Sequence, residues 1–303
     1  MAMYTKSNIE EKELEETRKA YMLPHNRKEI ERMRTQHEWI KGSFEGLIKA
    51  PIDYEKKNQK ILDSATADGS LFLSRNRASL TRFTGTWLTD AYTLFPAETE
   101  LIGFDIAPEL FPPHELLPPN VFLMLMDLSR DLPVEWNQQF DFVHQRFVFP
   151  GTSEQQIRDF MGRLMGCVKP GGWIQLIEPH ANENVSGPDP TAFHVLHKFA
   201  QTCMKSPTPK PIILSALKEG GFTNINVESK DIVVGKFQKN PELDVRGRKC
   251  MRAAVMNMSA IGNAKMLGLS DNEWDNILDR FEADMEKYRT AVRHSIIWAQ
   301  RPE

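Results

Sequence analysis

Between residues 60 and 180 the chain repeats one pattern, a short and nearly unbroken apolar run followed by a stretch with apolar positions at helical spacing. Continuous apolar runs are how strands buried on both faces read, and their alternation with amphipathic stretches predicts βαβ units around a parallel sheet. The runs are KILDSA (60–65), TELIGFDI (99–106), NVFLMLMDL (120–128), FDFVHQRFVF (140–149) and GGWIQLIEP (171–179). Helices are expected at 87–95 and 154–168, with a short acidic and proline-rich connection near 108–119. Further on, the pattern predicts helices at 190–205 and 211–219, a candidate strand pair at 222–235, a Met-rich helical region at 251–268, an amphipathic helix at 271–289 and a terminal strand at 291–300. Residues 7–45 read as helical, with a break at Leu23-Pro24, and their dense charges read as a solvated face.

Seven strands, five alternating with helices and two arriving late, make an α/β fold: a doubly wound, mostly parallel seven-stranded sheet. Residues 1–57 form an N-terminal helical extension, 58–303 carry the sheet, and 236–290 form a helical cap. In such a sheet a ligand lies beyond the carboxyl ends of the strands, where strand order reverses. That directs attention to 63–69, 105, 127 and 144–146.

Composition narrows the classes. At 303 residues and 41% hydrophobic, the chain can bury a full core without disulfide or metal staples. Lys+Arg 38 against Asp+Glu 41 leaves a net charge of −3, which gives no general attraction to nucleic acid or an anionic membrane. The three cysteines, Cys167, Cys203 and Cys250, have no zinc-ligand spacing, so no metal site is expected. Without an apolar leader or a long apolar run, the expectation is a soluble protein of the cytoplasm or nucleus, with no membrane insertion.

Three places carry candidate chemistry. After the first strand, Asp63-Ser64-Ala65-Thr66-Ala67-Asp68-Gly69 is rich in small residues that let a backbone turn pass close to a ligand, although an ordinary strand-to-turn junction reads the same way. Asp105, followed by Ile106, closes the second strand, where a carboxylate accepts hydrogen bonds from the ribose hydroxyls of an adenosine cofactor or else caps the next helix. Asp127-Leu128 closes the third strand, placed for an adenine amino group or for a turn.

These elements, with ThrGlyThrTrpLeuThrAsp (84–90), GlyPheAspIle (103–106), PheAspPheValHisGlnArg (140–146) and LysProGlyGlyTrpIleGln (169–175), preceded by Tyr21-Met-Leu-Pro and Gln36-His37, resemble the class I S-adenosylmethionine-dependent methyltransferases. That resemblance covers roughly residues 58 to 180 and 215 to 300; more closely, the set of motifs resembles the LaeA-like (UMTA-type) methyltransferases of fungal secondary metabolism. The resemblance implies a Rossmann-like methyltransferase fold with S-adenosyl-L-methionine as cofactor. It implies that Asp63 and the loop with Ala65, Ala67 and Gly69 approach the methionine moiety, Asp105 and Ile106 the ribose, and Asp127 with Leu128 the adenine. Arg146 and His144 then face the methyl group and the acceptor.

Two departures stand out. The family loop usually has glycine at one or both of the positions held here by Ala65 and Ala67, and an alanine is strained there if its φ is positive. Asp105 also lies 36 residues after Gly69, where roughly 20 are usual. Residues 70–85 (SLFLSRNRASLTRFTG) account for the excess. They have three arginines, no acid and no helical period, and they read as an insertion in the cofactor loop, with a retained intron translated in frame or an extended surface loop as its origin.

Methyl transfer is an in-line displacement, so the protein mainly holds the acceptor and excludes water. His144, His180 and Glu178 are candidate proton acceptors; a strand-end histidine is also a common structural residue. Met251, Met256, Met258 and Met266, with Trp274 and Phe281, form either a lid over a hydrophobic acceptor or ordinary helix packing, and the helix with Trp39 is placed to cover the same mouth. The expected activity is O- or N-methylation of a hydrophobic small molecule. The competing reading is a regulatory methyltransferase-like protein with a protein partner, impaired by the insertion. A nicotinamide oxidoreductase is disfavoured by the missing GxGxxG.

Overall fold

The computed structural model describes Ser7 and residues 27–66, 87–108, 111–112, 114–185, 187 and 192–303. The strands are β1 (Lys60–Ser64), β2 (Glu100–Asp105), β3 (Val121–Leu125), β4 (Phe140–Arg146), β5 (Val168–Val185), β6 (Thr223–Val234) and β7 (Thr290–Gln300). They form one seven-stranded sheet in the order β3-β2-β1-β4-β5-β7-β6. The pairs among β1 to β5 are parallel, and β7 runs antiparallel to both β5 and β6. Strand order reverses between β1 and β4, as the doubly wound reading requires.

The described helices are α1 (Arg27–Ser43), α2 (Trp87–Tyr92), α3 (Glu154–Cys167), α4 (Ala192–Cys203), α5 (Lys210–Glu219), α6 (Pro241–Ile261), α7 (Ala264–Leu267), α8 (Asp271–Asp275) and α9 (Ile277–Lys287). Each strand run is apolar on both sides because both sheet faces are covered. Leu62, Val143 and Ile174 pack with Ile157, Phe160 and Leu164 of α3 and Ile213 and Leu217 of α5. On the opposite face Ile61, Leu101 and Phe142 meet Trp87 and Leu88 of α2.

The Lys169-Pro170-Gly171-Gly172 turn has a local reason. Lys169 pairs with Asp141, whose other oxygen accepts the Lys60 N–H at 3.0 Å and so ties β5 to β4 and β1. Gly171 has φ +73, and a Cβ on Gly172 would stand 2.9 Å from the Lys169 carbonyl oxygen. Neither position suits a larger residue.

A third core joins the two ends of the chain. Trp39 and Ile40 of α1, with Phe44 just after it, are buried against Val255 and Met258 of α6, Phe281 and Met285 of α9, and Val292 and Ile296 of β7. The helices approach closely because Gly247 of α6 faces Trp39, where a Cβ would lie 2.9 Å from the indole nitrogen. The backbone after α1 is fastened as well, since Gln175 of β5 accepts the Lys49 N–H at 2.6 Å and donates to the Leu47 carbonyl at 3.1 Å. Residues before and after position 57 thus share one packed core.

Three expectations change. Residues 222–235 are one edge strand, β6, rather than a strand pair, and Arg293 of β7 pairs bidentately with Asp231 within it. The Met-rich helix begins earlier, at Pro241, because Asn240 caps it by accepting the Glu242 and Leu243 N–H groups. As a lid, the methionines do not act together: Met251, Met258 and Phe281 are core residues, whereas Met256 and Met266 are exposed. Among the described residues no helix is long and apolar enough to cross a membrane.

Candidate functional site

At the reversal point β1 and β4 run in register, with Asp63 opposite His144 and Ser64 opposite Gln145. Strand alternation puts Asp63, His144 and Arg146 on the face covered by α2, and Ser64 and Gln145 on the other. The Ser64 hydroxyl donates to Gln145 Oε1 at 3.1 Å. Asp63 Oδ1 accepts a hydrogen bond from His144 Nδ1 at 2.7 Å, and both groups are buried. Parallel to the imidazole, at 4.1 Å between ring centroids, lies the indole of Trp87.

Burial lowers the His144 pKa despite the opposing pull of Asp63, so the ring is neutral near pH 7. With its proton on Nδ1, facing the carboxylate, the other nitrogen carries a lone pair, and Nε2 is buried without a described partner. Asp63, which the resemblance sends to the methionine moiety, therefore has one oxygen committed to fixing the His144 tautomer.

Past β1 the chain turns at Ala65 with φ +53, so the condition for strain at this alanine is met. A left-handed alanine costs about 1–2 kcal/mol relative to the ordinary region. Thr66 then bonds back to the Phe104 carbonyl at 3.0 Å, while its hydroxyl is buried with no described partner. Ala67, Gly69, residues 70–85 and the Tyr21-Met-Leu-Pro motif lie outside the described residues.

Asp105 and Asp127 are brought side by side, since the Met126 N–H donates to the Asp105 carbonyl at 3.0 Å. Both carboxylates are buried at the carboxyl edge of the sheet. Each accepts a backbone N–H two residues on, Ala107 at 3.0 Å and Ser129 at 2.7 Å, the contact a turn residue makes. Ile106 beside them is half-buried and Leu128 buried.

Arg146, at the end of β4, is half-buried, and burial lowers its pKa to about 10, which leaves it a cation at neutral pH. Its Nη1 donates to His37 Nδ1 at 3.0 Å, and His37 Nε2 in turn meets Asp90 Oδ2 at 2.9 Å. Lys41 closes this group by donating to Asp90 at 2.5 Å and to Glu38 at 2.9 Å. His37, Glu38 and Asp90 converge as metal ligands would, but the Lys41 ammonium already sits on both carboxylates.

The other proton-acceptor candidates are placed elsewhere. His180 has both ring nitrogens engaged, Nδ1 with Glu183 at 3.1 Å and Nε2 with the Ser295 hydroxyl at 2.7 Å, which itself contacts Ser229 at 2.6 Å; this chain stitches β5 to β7 and β6. Glu178 accepts the Val148 and Phe149 N–H groups at 3.1 and 3.3 Å and so holds the turn after β4. Burial raises its carboxyl to about 8. The folded protein then binds a proton that an unfolded Glu, with a pKa of about 4.3, releases as pH rises. Stability is expected to fall between about pH 4.3 and about pH 8 on this account. In Glu178→Gln, which imitates the protonated side chain, that slope should flatten, and parallel urea titrations of the two proteins across this pH range would reveal an unchanged slope if Glu178 is not its source.

Sequence reading found His144, Arg146 and the acidic strand ends, and noted His37 only as part of a motif. It missed Trp87 as the ring over His144 and Asp90 as the partner of His37, although both stand in the 84–90 motif.

No protein-family model matches the chain. It is 58% identical over 303 residues to the N-methyltransferase verN of Clonostachys rogersoniana, covering 100% of both chains. It is 30% identical over 302 residues to the N-methyltransferase sirN of Leptosphaeria maculans, covering 97% of this chain and 98% of that one. Identity to the N-methyltransferase gliN of Aspergillus fumigatus is 28% over 299 residues, covering 95% and 99%. Among solved structures, a putative sarcosine dimethylglycine methyltransferase from Galdieria sulphuraria aligns with a TM-score of 0.47 at 11% identity, covering 88% of this chain and 85% of that one.

Proposed function

We propose, from the premise that the chain belongs to the fungal N-methyltransferase family of S-adenosylmethionine-dependent methyltransferases, that it methylates a nitrogen of a hydrophobic small molecule of secondary metabolism. The observation that carries this is the end-to-end 58% identity to the N-methyltransferase verN. The finer LaeA-like assignment rests on the motifs at 84–90, 103–106, 140–146 and 169–175, with Tyr21-Met-Leu-Pro and Gln36-His37 before them.

The residues suit the cofactor. Two buried carboxylates stand at adjacent strand ends, a turn of small residues has a buried hydroxyl without a described partner, and a half-buried arginine stands beside the reversal point. Asp105 and Ile106 hold the ribose, Asp127 and Leu128 the adenine, and Arg146 with the turn at Ala65 the methionine half. Bound S-adenosylmethionine supplies an electrophilic methyl group on a sulfonium. His144 Nε2 would accept the proton that the acceptor nitrogen loses as it takes the methyl and the sulfur leaves as a neutral thioether, while Asp63 holds the imidazole in the accepting tautomer. Glu178 and His180 keep the surrounding backbone in place.

The test is incubation of the purified full chain with S-adenosylmethionine and a panel of hydrophobic acceptors bearing amine, amide and hydroxyl groups. Products with methyl on nitrogen support the reading, and methylation confined to oxygen overturns it. The segment at 70–85 is tested separately. A contiguous turn and helix aim their N–H groups together, and a loop of this size adds little closure entropy, so deleting 70–85 is expected to tighten S-adenosylmethionine binding without unfolding the chain. Equal or weaker binding by the shortened protein would place the segment within the native site.

A further inference from the structure

We infer that His37 of α1 is a positioning residue for the cofactor: its Nδ1 holds the Arg146 guanidinium on the carboxylate of the methionine half. The inference rests on the proposed placement of Arg146 against that carboxylate.

An arginine half-buried at a strand end needs acceptors for several N–H donors and a compensating negative charge. Among the described residues Arg146 makes one hydrogen bond, to His37, and no ion pair with a carboxylate. A neutral imidazole directs the cation without neutralising it, which leaves the charge for a ligand. Arginine is suited to a carboxylate because its planar fork can donate two parallel hydrogen bonds.

The imidazole is set for this task. It can accept from Arg146 only with its own proton on Nε2, and that proton is donated to Asp90. Burial, opposed by Asp90, lowers the His37 pKa and keeps the ring neutral. Burial would raise the Asp90 carboxyl, but the hydrogen bonds from His37 and Lys41 outweigh it and hold the group below its usual range, so it remains an acceptor. The order Lys41, Asp90, His37, Arg146 thus runs from α1 through α2 and back through α1 to β4. The network therefore connects α2, α1 and the end of β4.

Calorimetry with two probes separates positioning from general damage: S-adenosylmethionine, and decarboxylated S-adenosylmethionine, which keeps the sulfonium, amine and adenosine. Arg146→Met should weaken the first by about tenfold to a hundredfold and leave the second nearly unchanged. His37→Ala should show the same selectivity at about three- to tenfold, less than Arg146→Met because the charge remains and only its orientation is lost. His37→Gln, whose amide can accept from Arg146 and donate to Asp90, should recover most of the affinity. If Arg146→Met weakens both probes alike or neither, the placement of Arg146 is wrong. If Arg146→Met is selective while His37→Ala is not, or His37→Gln is as weak as His37→Ala, only the positioning role fails. Should His37→Ala not fold, Asp90→Ala, which releases the ring without altering it, takes its place with the same two outcomes.

Discussion

Trp87→Ala is expected to destabilise the protein by about 3–5 kcal/mol, the range for deleting a buried large aromatic side chain. The indole is 1% exposed, lies parallel to His144 at 4.1 Å and to Phe142 at 5.8 Å, and packs in the cluster with Ile61 and Leu101. Removing it opens a cavity against the imidazole whose tautomer Asp63 fixes, so the acceptor nitrogen loses its fixed position together with the core. Urea denaturation measures the loss of stability, and a cost below about 1.5 kcal/mol would mean that the site face collapses around the gap. Trp87→Phe keeps a flat ring over His144 and should retain most of the stability.

Asp105→Ala is expected to weaken S-adenosylmethionine binding by about tenfold to a hundredfold, because hydrogen bonds to a charged group are worth about 1.5–3 kcal/mol. The carboxylate is buried at the end of β2 and also accepts the Ala107 N–H, so a modest local loss of stability accompanies the change. Asp105→Asn keeps one acceptor oxygen and should fall between the two. Unchanged affinity in isothermal titration of Asp105→Ala would remove the residue from the ribose site.

The central strands were legible because each is a nearly continuous apolar run, as burial on both faces demands. The edge was not. In β6, Glu228-Ser229-Lys230-Asp231 reads like a turn between two strands, yet the strand passes straight through: Ser229 and Asp231 bond to Ser295 and Arg293 of β7, its only described neighbour in the sheet, while Glu228 and Lys230 pair with Lys49 and Glu45. The start of α6 did carry a signal, Asn240 before Pro241, an N-cap ahead of a proline in the first turn.

At the site, residues belonging to one strand end could be found by position, which is why Asp63, Asp105, Asp127, His144 and Arg146 were named. Their pairings could not. His37 and Arg146 lie 109 residues apart in sequence, and only the packing of α1 across the sheet brings their nitrogens to 3.0 Å. Burial of His180 likewise depends on β7, so a histidine that looked free to exchange protons proves to be bonded on both sides.

The shared core of α1 with α6, α9 and β7 has a consequence for synthesis. Contacts between the ends of a chain form late, because a long loop must close before they are made. As translation proceeds, the apolar face bearing Trp39, Ile40 and Phe44 remains only partly covered until Val292 and Ile296 have left the ribosome. A chain stopped short of β7 therefore exposes that face to chaperones and aggregation, and it lacks the scaffold that brings His37 to Arg146.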